Sequence, residues 1–114
     1  GAELGGIPLV TTAALASGLP CIFIRNQKKE YGTSRQLEGK LSDDDNVVIV
    51  EDIATTGGQV LEAATIIKES GATVEAIIAV IDRCEGAREN IESAGYQFMS
   101  LFTTRDLGIV EATA

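Results

Sequence analysis

Short apolar runs alternate along the chain with stretches whose apolar residues recur at helical spacing. Four runs predict strands, and the β-branched run at 47–50 is typical of a strand covered on both faces; the runs are 21–24, 47–50, 74–81 and 96–102. Helical spacing, closed in each case by a glycine, predicts helices over 7–17, 60–67 and 87–94. This alternation predicts an α/β fold with a mainly parallel sheet flanked by helices.

The pattern fails between residues 25 and 39. This stretch carries almost no apolar residues, two glycines and four cations: Arg25, Lys28, Lys29 and Arg35. It predicts a long exposed loop or a loose hairpin. Loops of this length in compact domains are usually functional or mobile.

Composition narrows the possible chemistry. The 114 residues predict one domain over 1–114, and a net charge of −8 argues against a general nucleic-acid or anionic-membrane surface. The chain contains no His, which excludes Ser-His and Cys-His catalysis and His-ligated metal sites. Cys21 and Cys84 lie in or beside apolar runs and are expected to be buried free thiols of a cytoplasmic protein. No apolar run approaches the length of a bilayer span.

Polar residues follow three of the predicted strands. Arg25 follows the first, the pair Glu51 and Asp52 the second, and the pair Asp82 and Arg83 the third. Ligands of open parallel sheets bind beyond the carboxyl ends of the strands. These residues are therefore expected to share one edge of the sheet with a ligand.

The most informative motif joins the second strand to its helix. Two acids are followed by Thr55-Thr56-Gly57-Gly58 at the start of a helix. Backbone N–H groups there lie at the positive end of the helix dipole, where they can bind a phosphate. The two acids can accept hydrogen bonds from sugar hydroxyls or face a cation. Neither GxxxxGK[ST] nor GxGxxG is present. The alternative is an ordinary turn with surface acids.

This motif resembles the signature of the type I phosphoribosyltransferases, which bind phosphoribosyl pyrophosphate (PRPP). Three further segments resemble the orotate phosphoribosyltransferases within that family. The segment Glu3-Leu4-Gly5-Gly6 is similar to their pyrophosphate loop. Residues 25–33 together with 37–39 are similar to their mobile catalytic loop, and residues 81–90 are similar to the strand end that lies beside the base.

The resemblance implies transfer of the phosphoribosyl group from PRPP to orotate. It implies that Glu51 and Asp52 bind the ribose hydroxyls, with Asp52 also a candidate proton acceptor, and that the segment Thr55 to Gly58 (Thr55, Thr56, Gly57, Gly58) cradles the 5-phosphate. Arg25 and Lys29 would neutralise the leaving pyrophosphate, since positioned cations stabilise charge where it develops.

Three residues keep two interpretations at this stage. Tyr31 would contact pyrophosphate or pack the closed loop, and Thr55 would also face orotate. Arg83 would clamp the orotate carboxylate or its ring carbonyl through two hydrogen bonds, or form a structural pair with Asp82 or Glu85.

The resemblance also implies Mg²⁺, held mainly by PRPP and water rather than by protein ligands, which matches the coordination habit of this ion. It implies a homodimer in which the mobile loop acts in trans, with no nucleic-acid or membrane partner.

Departures from the family pattern keep alternatives open. Asn26 stands where many relatives have Lys, and Gly5 stands where some relatives have Lys. The family's N-terminal strand and hood are expected to be absent from these 114 residues. The alternatives are another base-specific phosphoribosyltransferase, or a non-catalytic PRPP-binding regulator or truncated core.

Overall fold

The computed structural model describes the backbone of residues 1–29 and 32–109 and the side chains of residues 1–25 and 36–109. Helices and strands alternate after an N-terminal turn. In chain order they are α1 Gly6–Ser17, β1 Phe23–Lys29, β2 Gly32–Glu38, β3 Asn46–Ala54, α2 Gly58–Glu69, β4 Thr73–Asp82, α3 Ala87–Ser93 and β5 Gln97–Thr103. Among the helices in these ranges, none combines the length and hydrophobicity that a bilayer span requires.

Strands β3, β4 and β5 form a parallel sheet with β4 in the centre. Helix α2 connects β3 to β4, and α3 connects β4 to β5, as parallel pairing requires. The predicted α/β class with a mainly parallel sheet is therefore confirmed.

The core lies between one face of this sheet and helices α2 and α3. Ile49, Ile77 and Phe98 lie side by side in the register of the three strands, and all three are buried. Ile67 of α2 and Ile91 of α3 are buried in the same cluster. Each such side chain contributes about 1.5–3 kcal/mol through removal from water, so these contacts fix both helices on the sheet.

The opposite face of the sheet is less covered. Val50, Ile78 and Met99 are aligned across the three strands; Val50 and Ile78 are half-buried, and Met99 is 55% exposed. Helix α1 contacts β3 on the N-terminal side of the molecule.

The segment expected to be a loop or loose hairpin is a regular two-stranded ribbon. Strands β1 and β2 pair antiparallel over seven residue pairs, from Phe23 with Glu38 to Lys29 with Gly32. Cys21 and Ile22, predicted as strand, precede β1. The ribbon is attached at its base, where Ile24 forms a parallel bridge with Ala2. Of the two predictions for this segment, the antiparallel pairing confirms the hairpin and not the long loop, since main-chain pairing needs no apolar pattern.

Two further predictions need correction. Strand β3 does not end before Glu51 but continues to Ala54, because Ile53 and Ala54 still pair with Ile81 and Asp82 of β4. Neither thiol is fully buried: Cys21 lies in the segment before β1 and Cys84 in the turn after β4, where strand packing does not cover them.

Candidate active site

The three parallel strands end together at one edge of the sheet. Ala54, Asp82 and Thr103, the last residues of β3, β4 and β5, lie in register. Two turns leave this edge side by side, since the Arg83 N–H donates to the Ala54 carbonyl at 3.0 Å. The fold thus brings the predicted phosphate residues next to the predicted base residue.

The segment Thr55–Gly58, called the phosphate loop below, is tied to its neighbours through its carbonyl groups. Ala87 N–H donates to the Thr55 carbonyl at 3.1 Å, and the Asn90 side-chain amide donates to the Thr56 carbonyl at 2.8 Å. The Gly57 carbonyl accepts from Leu61 in the first turn of α2 at 2.9 Å. By contrast, the N–H groups of Thr55, Thr56 and Gly57 donate to no acceptor within the described residues.

This arrangement leaves donors available at the start of α2. Those three N–H groups and the two exposed Thr hydroxyls lie at the positive end of a twelve-residue helix. The Gly58 N–H turns back to the Thr56 hydroxyl oxygen at 3.4 Å. Such a set of donors is suited to a phosphate dianion.

Gly57 is required by both conformation and space. Its φ of +87° lies in the left-handed region that other residues avoid, and a Cβ there would lie 3.2 Å from Cγ1 of Ile91. The loop therefore rests directly on α3.

Glu51 and Asp52 lie inside β3 rather than beyond it, and both are half-buried. The Ile53 N–H donates to Oδ1 of Asp52 at 2.8 Å, which fixes this carboxylate beside the strand. A Cβ on Gly5 would collide with the same carboxylate. The glycine at position 5 thus allows the predicted pyrophosphate loop to lie against Asp52.

The predicted pyrophosphate loop lies between the ribbon and β3. Backbone bonds from Ile24 to Gly1 and from Glu3 to Ile24, at 2.9 and 2.8 Å, hold it to β1. The Glu3–Leu4 peptide bond is cis, Leu4 is exposed, and α1 begins at Gly6. Gly5 of this loop lies so near Asp52 that an added Cβ would meet its carboxylate. This loop and the acid pair therefore lie together.

Of the predicted ribbon residues, Arg25 is the one whose side chain is described. Its guanidinium lies 3.9 Å from Glu3 and 3.6 Å from Glu38, and the side chain is 59% exposed. Arg25 thus belongs beside the pyrophosphate loop. Lys29 is the last residue of β1, its side chain lies outside the described atoms, and Tyr31 lies outside the described residues.

Arg83 lies at the same sheet edge, on the other side of the phosphate loop. Its Nε is 3.1 Å from a Glu85 carboxylate oxygen, and half of the side chain is exposed. Asp82 is buried and instead accepts from the Cys84 N–H at 2.9 Å. Of the two structural partners considered for Arg83, the structure contains the Glu85 pair, which leaves the guanidinium accessible.

Asn90 is a residue whose contact the sequence did not indicate. It lies 34 positions beyond Thr56, to whose carbonyl it donates. No local motif signals a contact of that separation. The sequence indicated Asn90 only as a member of residues 85–90, which resemble the family's strand end beside the base.

The donor set around Glu51 and Asp52 is compatible with a substrate-borne Mg²⁺ ion. Within the described part of the chain, no group of three or more His, Cys, Asp or Glu side chains could hold a metal alone. A single carboxylate, such as that of Asp52, suits an ion that keeps most of its phosphate and water ligands.

Comparison with known proteins agrees with this geometry. Residues 1–97 match the family model described as the phosphoribosyl transferase domain. An orotate phosphoribosyltransferase of Pyrococcus abyssi is 49% identical over 107 residues, which cover 94% of this chain and 59% of the relative. The chain thus spans about three-fifths of that relative's length.

Solved structures give the same picture. The orotate phosphoribosyltransferase of Aeropyrum pernix superposes with a TM-score of 0.82 at 32% identity, covering 91% of this chain and 58% of that one. The Mycobacterium tuberculosis orotate phosphoribosyltransferase in complex with PRPP superposes with a TM-score of 0.77 at 32% identity, covering 96% and 63%. With a family match over most of its length and the fold of the type I enzymes, the chain belongs to the phosphoribosyl transferase domain family.

Proposed function

We propose that residues 1–114 form the core domain of an orotate phosphoribosyltransferase. The reaction transfers the phosphoribosyl group of PRPP to orotate and gives orotidine 5-phosphate and pyrophosphate, a step of pyrimidine synthesis. The names of the relatives support this assignment, as does the phosphate loop, in which the carbonyl groups of Thr55, Thr56 and Gly57 are bound while the N–H groups of the same three residues are available. That loop is the observation on which the proposal chiefly rests.

In the proposed complex, the 5-phosphate binds the phosphate loop and the ribose lies over β3. Glu51 and Asp52 accept hydrogen bonds from the ribose hydroxyls, and Asp52 is the candidate proton acceptor. A charge-assisted bond of this kind contributes about 1.5–3 kcal/mol. When bound, Mg²⁺ would be held mainly by PRPP and water, with Glu51 and Asp52 as candidate protein carboxylates, and it would offset the charge of the pyrophosphate.

The pyrophosphate leaves toward the loop Glu3, Leu4, Gly5 and Gly6. The orotate nitrogen attacks the anomeric carbon as the bond to pyrophosphate breaks, so negative charge grows on the departing group. Arg25, which lies beside Glu3, and Lys29 at the end of β1 supply positive charge there. Tyr31 is a further candidate contact of the pyrophosphate.

Orotate binds on the other side of the phosphate loop, between Thr55 and Arg83. Orotate differs from uracil by a carboxylate, which a guanidinium matches with two parallel N–H bonds. In this complex the Arg83 guanidinium would leave its exposed ion pair with Glu85 and bind the carboxylate of orotate instead.

The proposal includes a homodimer in which the ribbon of one subunit closes over the site of the other. It also includes a cytoplasmic location with no nucleic-acid or membrane partner. The ribbon is attached mainly at its base, which supports a reach toward a neighbouring site.

A base-competition assay tests the proposed function. The protein is supplied with PRPP, Mg²⁺ and an equal mixture of orotate, uracil and adenine, and the nucleotide products are separated. We expect orotidine 5-phosphate alone. Formation of another nucleotide would assign a different base, and PRPP binding without any turnover would favour the non-catalytic alternative.

A further inference from the structure

We infer that Asn90 is a positioning residue that sets the direction of the Gly57 N–H in the phosphate loop. The inference rests on the proposed function for its ligand, PRPP, but its structural part is independent of that ligand. It starts from three bonds that cross from the segment after β4 to the end of β3.

The three bonds are accepted by the carbonyl groups of three consecutive residues, one bond to each. Arg83 N–H donates to Ala54, Ala87 N–H to Thr55, and the Asn90 amide to Thr56, at 3.0, 3.1 and 2.8 Å. In a trans peptide unit, the C=O of one residue and the N–H of the next point in opposite directions. Every bound carbonyl therefore turns the following N–H away from the donor that binds it: the Thr55 N–H away from Arg83, and the Thr56 and Gly57 N–H groups away from α3.

The third bond differs from the other two in its chemistry. The first two donors are main-chain groups that any non-proline residue supplies, whereas the third is a side-chain amide. The Thr56–Gly57 peptide plane is thus the one whose orientation depends on a single side chain. Without that donor, the Thr56 carbonyl is free to turn to solvent, and the Gly57 N–H turns with it.

Packing around Gly57 supports the same conclusion. The place that a Cβ on Gly57 would occupy lies 3.2 Å from Ile91 and 3.5 Å from Ala87, so packing holds its Cα against α3. Those contacts fix position, not the rotation of the preceding peptide plane. Rotation is fixed by Asn90, which projects from the same helix one residue before Ile91.

Nuclear magnetic resonance of the ligand-free protein provides the first test. We compare the ¹⁵N order parameter of the Gly57 amide in the wild type, in Asn90→Ala and in Ser93→Ala. Ser93 is an exposed residue at the end of the same helix and serves as the matched control. We expect an order parameter of about 0.85 in the wild type and Ser93→Ala, and below about 0.6 in Asn90→Ala.

Calorimetric titration with PRPP and Mg²⁺ provides the second test. Asn90→Ala should bind PRPP roughly threefold to tenfold more weakly than the wild type, the range expected for one hydrogen bond, while Ser93→Ala binds as the wild type does. An unchanged Gly57 amide in Asn90→Ala would overturn the inference whatever the affinity. If the wild type binds no PRPP, the proposed function fails, and the order parameter alone decides the role of Asn90.

Discussion

The phosphate loop and the β1–β2 ribbon are both polar segments at the candidate site, yet they are held in different ways. The loop is bound by neighbouring elements: α3 binds the carbonyl groups of Thr55 and Thr56, and α2 binds that of Gly57. The ribbon is held by its own ladder, and Ile24 and Leu37 at its base contact the core. A segment fixed from outside is suited to prearranged binding, and one that holds itself is suited to movement as a unit.

Asp52 lies between these two regions, and its substitution should have the largest effect. Asp52→Asn keeps the oxygen that accepts the Ile53 N–H, so the fold should be retained. Loss of a charge-assisted bond to ribose costs about 1.5–3 kcal/mol, which is roughly a tenfold to 150-fold loss in kcat/KM for PRPP.

Steady-state kinetics and thermal melting check this prediction. Asp44→Asn, at an exposed position in the turn before β3, is the control and should leave both measurements unchanged. Wild-type kinetics in Asp52→Asn would remove this carboxylate from the site.

Arg83 sharpens the comparison on the side of the phosphate loop. Arg83→Ala should lower the efficiency with orotate by roughly tenfold to a hundredfold, about 1.4–2.8 kcal/mol. PRPP binding should change far less, because its proposed contacts lie on the phosphate loop and β3. Arg83→Lys should recover little, since an ammonium provides a point charge rather than a fork.

Steady-state kinetics with orotate and PRPP varied in turn measure the separate effects of Arg83 on the two substrates. Glu85→Gln is a useful companion variant, because it removes the pair seen in the structure and leaves Arg83 free. If orotate kinetics stay intact while PRPP binding collapses, Arg83 belongs to the phosphate side.

The ribbon can be tested by complementation between subunits. Lys29→Ala and Asp52→Asn subunits should each be impaired when assayed alone, so the activity of their mixture distinguishes action in trans from action within one subunit. If the ribbon acts in trans, a mixed dimer contains one site with both residues intact and regains part of the wild-type rate. Mixed dimers that form but show no recovery would place Lys29 in the site of its own subunit.

The sequence predicted the α/β class and the Thr/Gly turn at the start of α2, because both have local signals. A β-branched run, two acids and Thr-Thr-Gly-Gly are consecutive in the chain. The end of β3 was predicted too early for a related reason: Glu51 and Asp52 suggested a boundary, whereas main-chain pairing with β4 carries the strand to Ala54.

The ribbon and Asn90 could not be predicted in the same way. Main-chain pairing holds the ribbon, and that pairing leaves no apolar periodicity in the sequence. The bond from Asn90 to Thr56 depends on how α3 packs beside β3, which only the folded chain establishes.

The central claim is that a phosphate loop resting on α3 binds the 5-phosphate of PRPP, and one pair of variants tests it directly. Gly57 and Gly18 both have left-handed φ values, +87° and +76°, but an added Cβ at Gly18 meets nothing within 4 Å. Alanine at either position should cost about 1–3 kcal/mol of stability through backbone strain. Calorimetric titration with PRPP and Mg²⁺ should show at least about tenfold weaker binding, or 1.4 kcal/mol, in Gly57→Ala and wild-type affinity in Gly18→Ala. Equal affinities in the two folded variants, or no PRPP binding by the folded wild type, would contradict the account.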